Sequence, residues 1–337
     1  MRELNGIQYL RALAALSVLG FHLSEQFGGS FKLGAAGVDI FFVISGFIMW
    51  TTTASRPTTP KRFIWRRIVR IVPLYWIITF ITAVAIFARP QFFYGHVLTI
   101  PNFLGSLFFV PAIQNGELHP IVIQGWTLCY EMMFYVLFAL ALFWPRTTRF
   151  WILAGMLVTV AILHPFLPEG YAFTFSDPIL LEFLAGVFIG QFWMSGARFP
   201  PALAVAMVVL GFAAFAGLEE LAPGTGRIVR WGVPAILIVA GMAFAERNSS
   251  WKPIPVLRFL GDASYSIYLW HVLVGTVVTA GLLRLGVSAE WQPAAIGILS
   301  LLFSAILYLL VEKPLISALT PRRRSASGVQ KMAAGAR

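Results

Sequence analysis

Apolar segments long enough to form membrane-spanning helices alternate with short polar connections along the whole chain. A helix needs about 20 mostly apolar residues to cross the hydrocarbon core of a bilayer, and segments of roughly that length recur ten times. They lie at 6–25, 34–53, 71–88, 126–144, 150–167, 178–195, 201–218, 230–246, 264–283 and 293–311. The pattern predicts an all-α fold, a polytopic membrane helix bundle of about ten transmembrane helices.

The composition agrees with this prediction. Of the 337 residues, 58% are hydrophobic and only 12% are charged, whereas soluble domains carry about 25% charged residues. The single cysteine, Cys129, excludes an intramolecular disulfide and a cysteine-based zinc cluster. No spacing typical of metal ligands is present, so no metal is expected.

Basic residues are concentrated in alternate connections. If the N-terminus is cytoplasmic, nineteen Lys and Arg residues fall on the cytoplasmic side and five on the other side. Because cytoplasmic loops are enriched in Lys and Arg, both termini are expected to be cytoplasmic. The formal charge of +11 would suggest nucleic acid as the partner of a soluble protein. Here the membrane explains the charge, so the expected partner is membrane lipid and not nucleic acid.

The sequence predicts one membrane-embedded domain, 1–320, followed by a basic, disordered cytoplasmic tail at 321–337. The first apolar segment is expected to be retained and not cleaved as a signal peptide, because Arg11 interrupts it. The longest connection outside the cytoplasm, 89–125, is broken by prolines and glycines. Its apolar patches predict a loop that dips into the membrane or lies on it.

The first apolar segment carries two ionisable residues, Arg11 and His22, eleven positions apart. Eleven residues advance about 1100° around a helix, so both side chains project from one face, about 16 Å apart along the axis. Ionisable groups within a membrane helix usually mark function, because burying them is costly. The arrangement suits an elongated anionic cofactor that reaches from one side of the membrane towards the other.

Four polar side chains are predicted to share the outer third of the bilayer: His22, Asp39, Glu131 and Glu182. A histidine beside a carboxylate is a common general-base arrangement, so His22, Glu131 and Asp39 are candidate catalytic residues. The alternative is that these groups only form polar pairs between helices, which is the expectation for Glu182.

A second cluster lies in KRFIWRRIVRIVPLYW at 61–76. Arg66, Arg67 and Arg70 are three or four residues apart and therefore share one side of a helix. Their guanidinium groups suit phosphate oxygens. The block indicates either a polyphosphate-binding site on the cytoplasmic side or only the positive charge that orients a membrane loop.

Three further residues complete the candidate cofactor site. Arg11 lies within reach of the same leaflet as the arginine block, and Tyr75 stands at the end of that block. His271, in ASYSIYLWH, lies near the middle of the ninth segment. A lone histidine inside the membrane can contact a cofactor or clamp two helices by hydrogen bonding, and both interpretations of His271 are kept.

Five stretches together resemble the acyltransferase family 3 of integral membrane proteins. They are Arg11 with His22 eleven residues later, GVDIFFVISGFIM at 37–49, RRIVRIVPLYW at 66–76, GWTLCYEMMFY at 125–135 and SYSIYLWH at 264–271. The resemblance covers about residues 4–316 and looks most like the bacterial exopolysaccharide O-acetyltransferase subgroup. One departure is that Thr127 and Cys129 stand where many members carry a serine-containing version of the motif.

The resemblance implies an enzyme that moves an acetyl group from cytoplasmic acetyl-CoA to a hydroxyl of an extracytoplasmic or lipid-linked polysaccharide. His22 would be the catalytic base, Arg11 and the Arg66–Arg70 block would bind the donor's phosphates, and Glu131 takes the family's acidic position. The expected location is the bacterial inner membrane. The expected partners are a carbohydrate acceptor and the polysaccharide-synthesis machinery. Some members of the family carry a C-terminal esterase-like domain, and its absence here implies transfer by one membrane module, either directly to the acceptor or to a partner outside this chain.

Several alternatives stay open at this point. A transporter or flippase of a lipid-linked glycan would line its pathway with the same charges. The acyl group could be succinyl instead of acetyl, and the transfer could be direct or pass through an acyl-histidine. The sequence identifies neither the sugar nor the hydroxyl that is acylated.

Overall fold

The computed structural model of the protein describes residues 4–93, 98–222, 224–247 and 251–320. The tail predicted at 321–337 lies outside the described residues. Most of the described chain is helical, and the only strands in these ranges form one short hairpin.

The helices are numbered in chain order. The first seven are α1 (Asn5–Gln26), α2 (Gly37–Ser55), α3 (Pro60–Ala88), α4 (Ile100–Leu107), α5 (Trp126–Ala141), α6 (Arg146–Leu163) and α7 (Tyr171–Phe175). The others are α8 (Leu180–Met194), α9 (Pro201–Leu221), α10 (Val233–Arg247), α11 (Pro255–Asp262), α12 (Ser264–Arg284), α13 (Gln292–Leu307) and α14 (Lys313–Leu319). Two π-helical turns, Ile228–Gly232 and Tyr308–Glu312, lead into α10 and join α13 to α14.

Ten helical stretches within the described residues are long and apolar enough to cross a membrane. The predicted fold, an all-α polytopic bundle, is confirmed. The two largest extensions beyond the apolar pattern are in the third stretch, which begins at Pro60, and in the last, which runs on to Leu319. In both, the backbone hydrogen bonds continue through charged turns at which hydropathy falls.

Helix α2 packs closely against α8, and two glycines permit the approach. A Cβ added at Gly46 would collide with the Phe183 carbonyl, and one added at Gly186 would collide with the Val43 carbonyl. Small residues let two membrane helices bring their backbones together. This contact fixes α2, whose other side lines a cavity of about 740 Å³.

Helix α1 is fixed at its start and along one face. The Glu246 carboxylate accepts hydrogen bonds from the backbone N–H groups of Asn5 and Gly6 at 2.7 and 2.6 Å, and a negative charge is favourable at a helix N-terminus. Further along, Ala15 is buried in a small cluster with Ala263 and Ile267, beside the start of α12. The two helices therefore run side by side between Arg11 and His22.

The connection at 89–125 is more regular than its prolines and glycines suggest. Thr99 accepts a hydrogen bond from the Asn102 N–H at the start of α4, and Pro101 stands in the first turn, where proline is tolerated. The strands β1 (Ala112–Gln114) and β2 (Glu117–His119) pair antiparallel across a tight turn. This unit packs on α3, because Trp76 donates to the Leu107 carbonyl at 2.8 Å. Residues 94–97 lie outside the described part.

Candidate functional site

A cavity with a volume of about 740 Å³ lies within the described bundle. Its lining combines the predicted arginine block with polar residues deeper in the bundle. The charged lining residues are Arg11, Arg56, Arg62, Arg66, Arg67, Arg70, Glu131 and Asp262. Six cations against two acids give this cavity, here called the arginine cavity, a positive lining that suits a polyanionic ligand.

Helix α3 presents its arginines to the cavity as the spacing predicts. The Arg67 guanidinium lies over the rings of Phe63 and Tyr135, 6.0 and 5.8 Å from their centroids, and its Nε is buried without a hydrogen-bond partner within the described chain. Arg70 lies 5.7 Å from the Tyr265 ring centroid. Aromatic faces hold a guanidinium in place and leave its N–H donors directed elsewhere.

Arg11 reaches the same cavity from α1. It donates to Gln8 Oε1 and to Ser264 Oγ, both at 3.0 Å. The second bond ties α1 to the first residue of α12. The structure thus brings Arg11 and the arginines of α3 together around one cavity, as the sequence pattern predicts.

Glu131 lies deeper in the arginine cavity. Its Oε1 accepts a hydrogen bond from Ser45 Oγ at 2.9 Å and another from the Tyr135 hydroxyl. These two hydroxyls also lie 3.2 Å apart. Helices α2 and α5 together supply all three side chains of this triangle. The two hydroxyl groups hold the carboxylate at a fixed place in the cavity.

His22 lies in a second, smaller cavity of about 240 Å³ between α1, α12 and α13, here called the histidine cavity. Its Nδ1 is 3.7 Å from Glu25 Oε2, and its ring centroid is 5.2 Å from that of His271. His271 is 4% exposed. Its Nδ1 is 3.0 Å from the Ile267 carbonyl, while Nε2 has no partner among the described residues.

Tyr268 stands between the two cavities. It lines the arginine cavity, whereas His271, three residues later on α12, lines the histidine cavity, and their ring centroids are 6.2 Å apart. The Tyr268 hydroxyl lies 2.9 Å from Thr127 Oγ1 and donates to the Gln124 carbonyl at 3.0 Å. Phe41 packs edge-on against the same ring. Among the described residues, none lines both cavities.

Asp39 lies elsewhere, in a buried ion pair. Its Oδ2 is 2.8 Å from Arg227 Nη2, and its Oδ1 is 3.2 Å from Arg227 Nε. The guanidinium lies over the rings of Trp126 and Trp231, 5.6 and 4.6 Å from their centroids. Glu182 is buried beside Asp39. The four acidic and histidine side chains predicted to lie together thus occupy three separate places, and the catalytic role of Asp39 stays a prediction.

Tyr75 is fully buried and lines neither cavity. Its ring stacks on Phe109, with 5.0 Å between centroids, and packs against Gly125, where an added Cβ would meet the ring at 2.8 Å. These contacts give Tyr75 a packing role, and its contact with a cofactor stays a prediction.

Glu312 is a site residue that the sequence reasoning missed. It is 1% exposed, lies 2.8 Å from Arg70 Nη1 and accepts a hydrogen bond from Ser266 Oγ at 2.7 Å. Glu131 is a candidate from the sequence because it is an acidic residue within a predicted apolar helix. The same criterion misses Glu312, because the predicted apolar segment ends at 311, one residue before it. No group of three or more His, Cys, Asp or Glu residues in the described chain could hold a metal ion.

Comparison with known proteins identifies the family. Residues 4–311 match the acyltransferase domain that defines acyltransferase family 3. The chain belongs to this family. It is an acyltransferase that resides in a membrane by way of ten apolar helices. No solved structure matches the chain.

Three relatives illustrate what this chain resembles. The exopolysaccharide production protein ExoZ of Rhizobium meliloti is 38% identical over 91% of this chain and 97% of its own length. The acyltransferase MdmB of Streptomyces mycarofaciens is 28% identical over 94% of this chain and 93% of its own. The peptidoglycan O-acetyltransferase OatA of Listeria monocytogenes is 24% identical over 81% of this chain, which corresponds to 49% of that protein.

The ion pair between Asp39 and Arg227 gives a testable expectation. Asp39→Asn is expected to lower the free energy of unfolding by about 3 kcal/mol, the low end for a broken buried pair, since Arg227 is 32% exposed. SDS-induced unfolding in mixed micelles, followed by tryptophan fluorescence, measures the loss. Glu219→Gln is the matched control, because its partner Arg230 lies 3.4 Å away and both are partly exposed. It should cost less than about 1 kcal/mol. An Asp39→Asn protein as stable as the parent, but without turnover, would instead make Asp39 catalytic.

Proposed function

We propose that this protein is an O-acetyltransferase of the bacterial inner membrane. It moves an acetyl group from cytoplasmic acetyl-CoA to a hydroxyl of an extracytoplasmic or lipid-linked exopolysaccharide. The observation that carries the proposal is the arginine cavity, which is open among six arginines and reaches to Glu131 and Tyr268. The similarity to an exopolysaccharide production protein over nearly its full length supports the choice of acceptor.

The arginines bind the donor. The phosphates of acetyl-CoA lie among Arg66, Arg67 and Arg70 of α3 and Arg11 of α1, because planar guanidinium groups pair well with phosphate oxygens. The pantetheine arm runs along the face of α1 that carries Arg11 and His22, about 16 Å apart along the helix axis. Both termini are then cytoplasmic, and the basic residues of the segment 321–337 lie on the donor side of the membrane.

His22 is the general base. Its Nδ1 faces Glu25 at 3.7 Å, so Nε2 is the nitrogen that accepts the proton of the sugar hydroxyl. The hydroxyl oxygen forms a bond to the acetyl carbon as the thioester C–S bond breaks, and the proton passes through His22 to the leaving CoA thiolate. Glu131 is a catalytic residue at the donor end of this path, where its carboxylate, held by Ser45 and Tyr135, contacts the donor arm.

The acyl end of the donor passes Tyr268 to reach His22. Tyr268 is held by hydrogen bonds to Thr127 and Gln124, and rotation of its side chain about two bonds would connect the cavities. His271, on the far side of Tyr268, meets the acyl group there. Partners outside the chain are the carbohydrate acceptor, the surrounding lipid and the machinery that synthesises the polysaccharide.

Replacement of the base tests the proposal. His22→Ala is expected to lower the rate of acetyl transfer by about 10²–10⁴-fold, the usual contribution of a general base. The affinity for CoA should stay close to that of the parent, since His22 does not line the arginine cavity. The assay follows label from radioactive acetyl-CoA into glycan with purified protein in lipid nanodiscs. His119→Ala, in the β-hairpin, is the control and should transfer normally. Parental turnover in a folded His22→Ala protein would rule out the assignment.

Conservative replacement of arginine separates phosphate binding from topology. Lysine keeps the positive charge that orients a loop but lacks the planar fork. Arg11→Lys, Arg67→Lys and Arg70→Lys should therefore keep the topology and weaken CoA binding by about 1–3 kcal/mol, as expected for a lost charge-assisted hydrogen bond. Isothermal titration calorimetry measures the affinity.

Arg11→Lys should weaken CoA binding the most. Arg11 lies inside a helix that spans the bundle, so water can replace a lost phosphate contact less easily there than at the arginines of α3. Arg89→Lys, outside the cavity lining, is the control and should bind as the parent does. If all three cavity variants also bind CoA as tightly as the parent, the arginines serve topology alone and the donor site is wrong.

A further inference from the structure

The histidine cavity contains two buried polar atoms that have no partner within the described protein. They are His271 Nε2 and Ser300 Oγ, on residues 4% and 2% exposed. A buried polar group without a hydrogen bond costs about 1–3 kcal/mol, so natural proteins seldom leave one unsatisfied. Two at one cavity indicate that a ligand completes their hydrogen bonds.

The Ser300 hydroxyl is directed into the cavity. Gly275 faces it from α12, and a Cβ added at Gly275 would lie 3.5 Å from Ser300 Oγ. Gly275 and Gly297 both line the cavity, and because neither has a side chain, the space between α12 and α13 stays open. His22 borders the same space.

The lining has the mixed character that a sugar ring requires. Leu19, Val272 and Ile296 supply apolar surface, which suits the C–H faces of a pyranose, and the histidines and Ser300 supply hydrogen-bonding atoms for its hydroxyls. The volume of about 240 Å³ is below the roughly 300–1,000 Å³ typical of drug-sized ligands. This size fits a single ring and not an oligosaccharide.

We infer that the histidine cavity is the subsite for one pyranose ring of the acceptor glycan. Ser300 Oγ and His271 Nε2 hydrogen-bond to hydroxyls of that ring and so present its neighbouring hydroxyl to His22. This inference rests on the proposed acetyl transfer, for which it supplies the acceptor site. It makes Ser300 a residue that determines affinity for the acceptor and does not affect the donor.

Two serines on α13 provide a matched pair of variants. Ser300 and Ser304 are one helical turn apart, both are buried, and neither hydroxyl has a partner in the described chain. Only Ser300 lines the histidine cavity. Removing an unpaired hydroxyl should not disturb folding in either variant, so Ser300→Ala and Ser304→Ala differ only in what the cavity offers a ligand.

The first readout is acetyl transfer by full-length protein in nanodiscs to 4-nitrophenyl β-D-glucopyranoside and β-D-galactopyranoside. Ser300→Ala should raise the KM for the glycoside about five- to tenfold, the effect of losing one hydrogen bond, with kcat and the KM for acetyl-CoA unchanged. Ser304→Ala should match the parent. Equal acceptor KM values in all three proteins would overturn the subsite and leave the proposed function standing.

The second readout does not depend on turnover. Diethyl pyrocarbonate modifies accessible histidines, and peptide mass spectrometry measures its addition at His22. The glycosides should protect His22 in the parent and in Ser304→Ala, and less in Ser300→Ala, whereas 4-nitrophenol should not protect. Absence of protection in the parent overturns the subsite. Protection without any acetyl transfer keeps a sugar site at His22 and instead overturns the proposed function.

Discussion

Helix α1 can carry both Arg11 and His22 because α12 provides a suitable neighbour for each of them. Ser264 accepts a hydrogen bond from Arg11, and His271 lies beside His22, while Ala15, Ala263 and Ile267 fill the interval with apolar contact. A charge inside a membrane bundle is costly unless it is paired or faces a polar cavity. The α1–α12 contact therefore determines where the two cavities lie and which residues border them.

The same constraint explains the remaining ionisable groups of the interior. Arg70 is paired with Glu312, Asp39 is paired with Arg227, and Glu131 receives two hydroxyl donors. Arg67 differs, since aromatic rings hold its guanidinium and its Nε lacks a partner in the described chain. Asp39 is satisfied within the protein and lines neither cavity, so its ion pair stabilises the bundle, whereas Arg67, Arg70 and Glu131 line the arginine cavity and can contact a ligand there.

The sequence predicts the ten helices and the shared face of Arg11 and His22, because hydropathy and helical periodicity are local properties. It also predicts that Arg11 and the arginines of α3 meet, since their depths in the membrane agree. It does not predict that Asp39 pairs with Arg227, 188 residues away, or that Tyr268 separates His22 from the arginine cavity. Depth in the membrane fixes the height of a residue along its helix, but the neighbours at that height depend on how the helices are arranged around one another.

The central claim is that donor and acceptor reach this enzyme from opposite faces of the membrane, with α1 spanning the distance between them. Sealed inside-out vesicles expose the cytoplasmic face, so radioactive acetyl-CoA added outside should label glycan in the vesicle lumen without permeabilisation. Sealed right-side-out vesicles should transfer no label until they are permeabilised. Equal labelling by intact vesicles of both orientations, or label confined to glycan on the cytoplasmic face, would contradict the account.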